Sequence, residues 1–212
     1  MKKFILTLAA LTAFGSVAHA QLHRRNDTYV GLKVGGTSAS FIGTGAQYLR
    51  SVYGFHAGVF ANLPLYQPFS IQPEILFSMK GQRGQASVSD ATTRLNYLDI
   101  PVAFRASKYG LFAEIGPQVG FLLTAKSNES GENVSVRTQY RSFDFGYLVG
   151  VGYQPPQGGL GVSGRFNASF LSAYANPIDG TEPRDARNSA FQLSVTYSAR
   201  KDHRSKKSHT PR

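Results

Sequence analysis

The stretch Phe69-Ser70-Ile71-Gln72-Pro73-Glu74-Ile75-Leu76-Phe77-Ser78-Met79-Lys80 decides how this chain folds. Its odd positions are apolar throughout, and its even positions are polar or charged apart from Leu76. A period of two places successive side chains on opposite faces of a strand, so this segment has an apolar face and a charged one. Twelve alternating residues exceed the five or six of an average soluble strand and match a tilted strand that crosses a membrane.

The same pattern recurs on both sides. Eight segments alternate in this way: Thr28–Ser38, Tyr53–Leu63, Phe69–Lys80, Leu95–Arg105, Gly110–Thr124, Arg141–Tyr153, Gly159–Phe170 and Ala190–Tyr197. One face collects residues such as Val30, Leu32, Val59, Ile75, Val102, Phe104, Ile115, Val149, Phe166 and Leu193, and no charged residue falls on it. The other carries Lys33, Glu74, Lys80, Asp99, Arg105, Glu114, Asp144 and Arg165 among glycines and amides. Parity alone permits two senses. A soluble, lipocalin-like barrel turns the apolar face inward, and a membrane barrel turns it outward. The connections decide between them. They run to about 14, 5, 14, 4, 16, 5 and 19 residues, the long–short alternation of extracellular loops and periplasmic turns. Ser107-Lys108-Tyr109-Gly110 and Pro155-Pro156-Gln157-Gly158 supply turn chemistry to short connections. Tyrosines cluster at segment ends, where a phenol sits at headgroup level.

Four blocks carry a family resemblance. Ile71-Gln72-Pro73-Glu74-Ile75-Leu76-Phe77, with Met79-Lys80-Gly81 after it, and Tyr97-Leu98-Asp99-Ile100-Pro101-Val102 resemble consecutive strands of PorT-like outer-membrane β-barrel proteins. Gly110-Leu111-Phe112-Ala113-Glu114-Ile115-Gly116-Pro117 and Asp144-Phe145-Gly146, with Gly150-Val151-Gly152-Tyr153, are similar to the next two. The resemblance implies a fold and a membrane but little about activity. The chain departs from the pattern at its end, where 15 residues follow Tyr197 instead of a terminal aromatic.

The N-terminus reads as a secretory signal peptide over residues 1–20. Lys2 and Lys3 precede the apolar run Phe4 to Phe14, and Ala18-His19-Ala20 offers a cut ahead of Gln21. That run is short for a spanning helix of about 20 residues. Residues 21–27 form a short lead-in, 28–199 the barrel, and 200–212 a basic tail expected to be disordered and periplasmic. The tail holds Arg200, Lys201, Arg204, Lys206, Lys207 and Arg212 against Asp202. Its expected partners are anionic headgroups or the cell wall. The formal charge of +11 would suit nucleic acid, but export argues against that partner. The chain has no cysteine, which excludes disulfides, thiol chemistry and a lipid-modified N-terminal cysteine.

No cofactor or metal motif is evident. Gly159-Leu160-Gly161-Val162-Ser163-Gly164 spells a dinucleotide-binding pattern but follows a Pro-Pro turn and continues as a strand, so small residues on an inner wall explain it better. Asn128-Glu129-Ser130 forms a glycosylation triplet that a bacterial exported protein has no use for. His56 is the one histidine within an expected strand. With Ser51 or Ser40 it could serve a lipid-acting hydrolase or acyltransferase at the outer rim, provided a base and an orienting acid converge.

The reading is therefore all-β: an eight-stranded antiparallel up-and-down transmembrane β-barrel with a polar, side-chain-filled lumen and both termini periplasmic. The eight inward charges are expected to pair as a structural network, with Arg105 and Glu114 diagonal neighbours across a tight turn. The expected partners are outer-membrane lipid and an unidentified extracellular ligand of the long loops. The alternatives are a rim-located lipid-modifying enzyme and a carrier of a small apolar ligand.

Overall fold

The computed structural model describes residues 28–43, 49–84, 92–129, 132–174 and 186–199. Residues 1–20, expected to be a signal peptide, and the basic residues 200–212 lie outside them. The strands are β1 (Tyr29–Ile42), β2 (Leu49–Arg50), β3 (Val52–Tyr66), β4 (Phe69–Gly84), β5 (Thr92–Lys108), β6 (Leu111–Glu129), β7 (Glu132–Ser135), β8 (Phe143–Tyr153), β9 (Gly159–Ser172) and β10 (Arg187–Ala199). One 3-10 turn, Arg137–Gln139, precedes β8. The eight long strands pair antiparallel with their neighbours in the chain, and β1 pairs with β10 from Val30↔Ala199 to Ile42↔Arg187. That last pairing closes the sheet into an eight-stranded barrel, and β2 and β7 add short ladders to β4 and β6.

The apolar face points out. Leu32 is 62% exposed and Leu160 68%, whereas Glu74 and Arg165 are each 2% exposed. A water-soluble barrel would reverse this arrangement, so the outside is built for hydrocarbon. The apolar-ligand carrier needed an apolar interior, and the lumen wall is ionic and amide-rich.

Residues 67–68, 109–110 and 154–158 make the short connections at one end, hereafter the turn end, where both chain ends of the barrel also lie. Tyr109 (φ 54°) and Gly110 (φ 86°) both take positive φ, as a two-residue type I′ hairpin requires. The opposite ends of the long strands, at Ile42, Val52, Gly84, Thr92, Glu129, Phe143, Ser172 and Arg187, define the loop end.

Several strands run further toward the loop end than the alternation suggested. The first reaches Ile42 rather than Ser38, the fourth begins at Thr92 rather than Leu95, and the fifth runs to Glu129 rather than Thr124. The cause is an inversion of the hydropathy phase above the membrane belt. Phe41, Leu95 and Tyr97 point inward there, while Arg94 is exposed on the outside. On β6 the pairing jumps from Asn96↔Thr124 to Tyr97↔Leu122, so Leu123 is an extra residue and the inward parity shifts to Ala125. The inward residues Phe41, Leu95, Tyr97, Leu122 and Ala125 join Tyr140, Ala173 and Ala186 in an apolar cluster that plugs the loop end.

Candidate functional site

Below that plug the lumen is ionic. All eight inward charges named from the sequence are buried, none more than 8% exposed. Five form an alternating ladder. Lys33 Nζ lies 2.7 Å and 2.9 Å from the two carboxylate oxygens of Glu74. Arg165 donates from Nη1 and Nη2 to the same carboxylate at 3.0 Å and 2.8 Å. It also donates to Glu114 Oε1 from Nη2 at 2.7 Å and from Nε at 3.0 Å. Arg105 completes the ladder on Glu114 Oε2 at 2.7 Å, its guanidinium lying 3.6 Å from the Phe112 ring centroid. Gln72 Nε2 gives Glu74 a further donor at 2.8 Å.

Such burial is tolerable because each carboxylate collects several charge-assisted bonds in exchange for its lost water. Arg165 is the keystone, since a planar fork serves two carboxylates where an ammonium would serve one. The expected diagonal contact between Arg105 and Glu114 is in fact directly cross-strand, because the two-residue turn pairs Arg105↔Glu114.

The remaining three charges sit nearer the loop end. Lys80 Nζ reaches Asp99 at 3.0 Å and lies 4.7 Å from the Tyr97 ring centroid. Asp144 accepts from Ser169 Oγ at 2.8 Å and Asn188 Nδ2 at 3.1 Å. Lys80, Asp144, Asn167 and Asn188 border a cavity of about 10 Å3, and both polar side-chain atoms of Asn167 lack a protein partner. That is room for one water. The eight charges balance overall, yet the ladder has three cations and two anions and the outer group one cation and two anions. Above them, burial and the neighbouring Tyr174 hold the Tyr140 phenol well above its ordinary range.

His56 does not meet Ser51 or Ser40. Its ring is fully buried, with Nδ1 2.9 Å from Thr37 Oγ1 and Nε2 2.8 Å from Ser194 Oγ. Gly35 stands between His56 and Ser194 on the sheet. A Cβ there would come within 2.7–2.8 Å of the imidazole and collide with Leu193 O, so the missing side chain lets His56 reach across β1. Among the described residues no carboxylate orients the ring by a hydrogen bond, and no group of acids, histidines or cysteines could hold a metal.

At the turn end the lumen opens into a cavity of about 920 Å3, bordered by Tyr29, Tyr66, Arg105, Tyr109, Gln154 and Pro155 among others. Sequence reasoning missed the link between Glu74 and Arg165 and the apolar plug. The first joins residues 91 apart on strands that do not pair; the second left a trace in the inverted alternation around Leu95.

An apolar exterior, a closed antiparallel sheet and an ionic interior together define an integral outer-membrane barrel. The model of the outer membrane protein beta-barrel domain matches residues 19–174, and the chain belongs to that family of the bacterial outer membrane. Neisserial surface protein A has a similar fold, with TM-score 0.50 and 12% identity over 81% of this chain and 96% of that one. The attachment invasion locus protein of Yersinia pestis, in complex with the heparin analogue sucrose octasulfate, gives TM-score 0.49 and 14% identity over 82% and 99%. A comparison with curated proteins finds no match.

Proposed function

We propose that the barrel is a membrane anchor that holds its loop end outside the cell as a surface-interaction platform. The observation that carries this reading is the asymmetry of the two ends. β5 and β6 run 17 and 19 residues, well past the roughly 9–11 that cross a membrane. Their projecting parts are braced from inside by the Phe41–Tyr97–Leu122 plug, and the 3-10 turn is tied down by Arg137 on Leu122 O at 2.7 Å. The ladder meanwhile fills the lumen at mid-height, as suits an anchor. On this reading both termini are periplasmic, residues 1–20 are removed ahead of Gln21, and the tail meets anionic headgroups or the cell wall. The narrower PorT-like kinship rests on the four sequence blocks.

Because the chain lacks cysteine, introduced cysteines report topology cleanly. Thr138→Cys should react with an impermeant maleimide on intact cells, and Tyr109→Cys only after lysis. The opposite pattern would overturn the orientation. A photo-crosslinker carried on Thr138→Cys should then give discrete adducts on intact cells, and a folded barrel giving none would remain an anchor without a surface role.

We read no catalysis into the contact between His56 and Ser194. Both side chains are walled inside the lumen, and a nucleophile needs an accessible position and an oriented base.

A further inference from the structure

Among the described residues, seven of the eight inward charges stand in ion pairs, and Asp144 does not. It is buried on β8, where two neutral donors, Ser169 Oγ at 2.8 Å and Asn188 Nδ2 at 3.1 Å, both serve its Oδ2. Gly120 stands between Asp99 and Asp144 on the sheet. A Cβ there would lie 2.7 Å from Asp99 Oδ1 and 3.5 Å from Asp144 Cβ, so the two carboxylates flank one open position. The cation nearest them is Lys80, whose ammonium lies 3.0 Å from each oxygen of Asp99. Asp144 is left with its charge unmatched, which is costly for a buried group. Amide oxygens gather at the same place. Asn188 is fixed by the bonds it donates to Asp144 and to Tyr97 Oη at 3.2 Å, and its Oδ1 is buried without a partner. Turning that amide over would set oxygen against carboxylate. Asn167, 4% exposed, has both Oδ1 and Nδ2 without a protein partner. Asp144, Asn167 and Asn188 all border the cavity of about 10 Å3, together with Lys80, Gln118 and Gly120. Beside it the β9–β10 register shifts between Arg187 and Ser189, an irregularity of the kind that re-aims side chains next to sites.

We infer that this cavity is a binding site for one sodium-like monovalent cation, held by the Asp144 carboxylate and the side-chain oxygens of Asn167 and Asn188. Hard cations take oxygen ligands, and these three groups come from three adjacent strands, β8, β9 and β10. A single positive charge cancels the surplus on Asp144. A divalent ion asks for more carboxylates than one, and among the described residues no cluster of three acids, histidines or cysteines supplies them. A water fits the same volume but leaves the charge where it was. Bound there, the ion ties three strands together on the loop-end side of the ladder. The site is the same whichever way the barrel is oriented, so it stands apart from the surface-interaction reading.

The test is urea unfolding of the full chain in zwitterionic detergent micelles, titrated with sodium chloride while choline chloride holds the ionic strength constant. A ligand that binds the folded state alone stabilises it by mass action. Each tenfold rise in sodium above the dissociation constant should therefore raise the folding equilibrium constant about tenfold. Asp144→Asn keeps an acceptor for Ser169 and Asn188 but removes the charge, and its constant should change by less than about twofold over the same range. Asn167→Leu removes one oxygen and should need about tenfold more sodium for the same response. Should Asp144→Asn fail to fold, the native titration and Asn167→Leu carry the test. A native chain indifferent to sodium would overturn the proposal and leave one water in the cavity. A sodium response as strong in either variant as in the native chain would overturn it by moving the ion elsewhere. Stabilisation by acid in place of sodium would overturn it too, by giving Asp144 a proton instead.

Discussion

Glu74 and Arg165 stand on β4 and β9, four strands apart in either direction around the barrel, and they meet across its full width at 2.8 and 3.0 Å. The contact turns a tube into a braced cylinder, and Arg165 carries the brace onward to Glu114. Replacing Arg165 by Met would leave two buried carboxylates short of a partner. We expect a loss of about 3–5 kcal/mol in urea unfolding from detergent micelles. Arg165→Lys should recover part of it, since one ammonium cannot serve both carboxylates at once. Unchanged stability in Arg165→Met would mean that the brace is ornamental.

Charges on the two faces should behave by different physics. Val102 faces outward between Ile100 and Phe104, and Val102→Lys should cost about 2–4 kcal/mol at mid-bilayer depth. From sequence, with Arg105 as its single partner, Glu114→Gln would count as the milder change. The structure gives Glu114 two arginines, so its loss should reach about 3 kcal/mol or more. Unfolding of both variants in the same lipid checks the pair. A barrel indifferent to lysine at 102 but ruined by Val102→Ala would have its faces the other way round.

Gly35 and Gly36 offer a matched comparison on one strand. A Cβ at Gly35 runs into the His56 ring, while at Gly36 it meets nothing within 4 Å. Gly35→Ala should cost about 1–3 kcal/mol by pushing the imidazole off Ser194. Gly36→Ala should be neutral or slightly stabilising. The His56 ring resonances in NMR should move in the first variant and stay put in the second.

Truncation after Ala199 removes the basic tail and leaves β10 whole, since that strand ends at Ala199. The truncated chain should keep the heat-dependent gel mobility of a closed barrel. It should lose salt-sensitive cosedimentation with anionic vesicles, which for each Lys or Arg is worth up to about 1 kcal/mol. Equal cosedimentation of both forms would rule out tethering by the tail.

The barrel was legible in the sequence because lipid outside and ions inside impose opposite demands on alternate residues. Val102 and Asp99 could be assigned to faces by parity alone. The contact between Arg105 and Glu114 was visible because a short turn fixes the register. Glu74 and Arg165 were visible as inward charges but not as partners, since nothing in a local pattern says which strands face each other across a closed ring. The strand ends were misjudged for a physical reason. Above the belt water lies outside and an apolar plug inside, so Leu95 and Arg94 swap the roles that Leu98 and Asp99 play below them. His56 was assigned serines near it in sequence, while its partner Ser194 is 138 residues away, brought close by closure between β1 and β10.

The plug at the loop end and the 920 Å3 mouth at the turn end make the lumen a blind well. Water, protons and small ions reach the ladder from one compartment only, the one in which the barrel's own chain ends lie. The ionic core thus answers to the pH and salt of that compartment and is shielded from those on the other side. In the orientation proposed above, a cell could meet acid or brine outside while the salt bridges that hold this barrel together experience only the chemistry of its envelope.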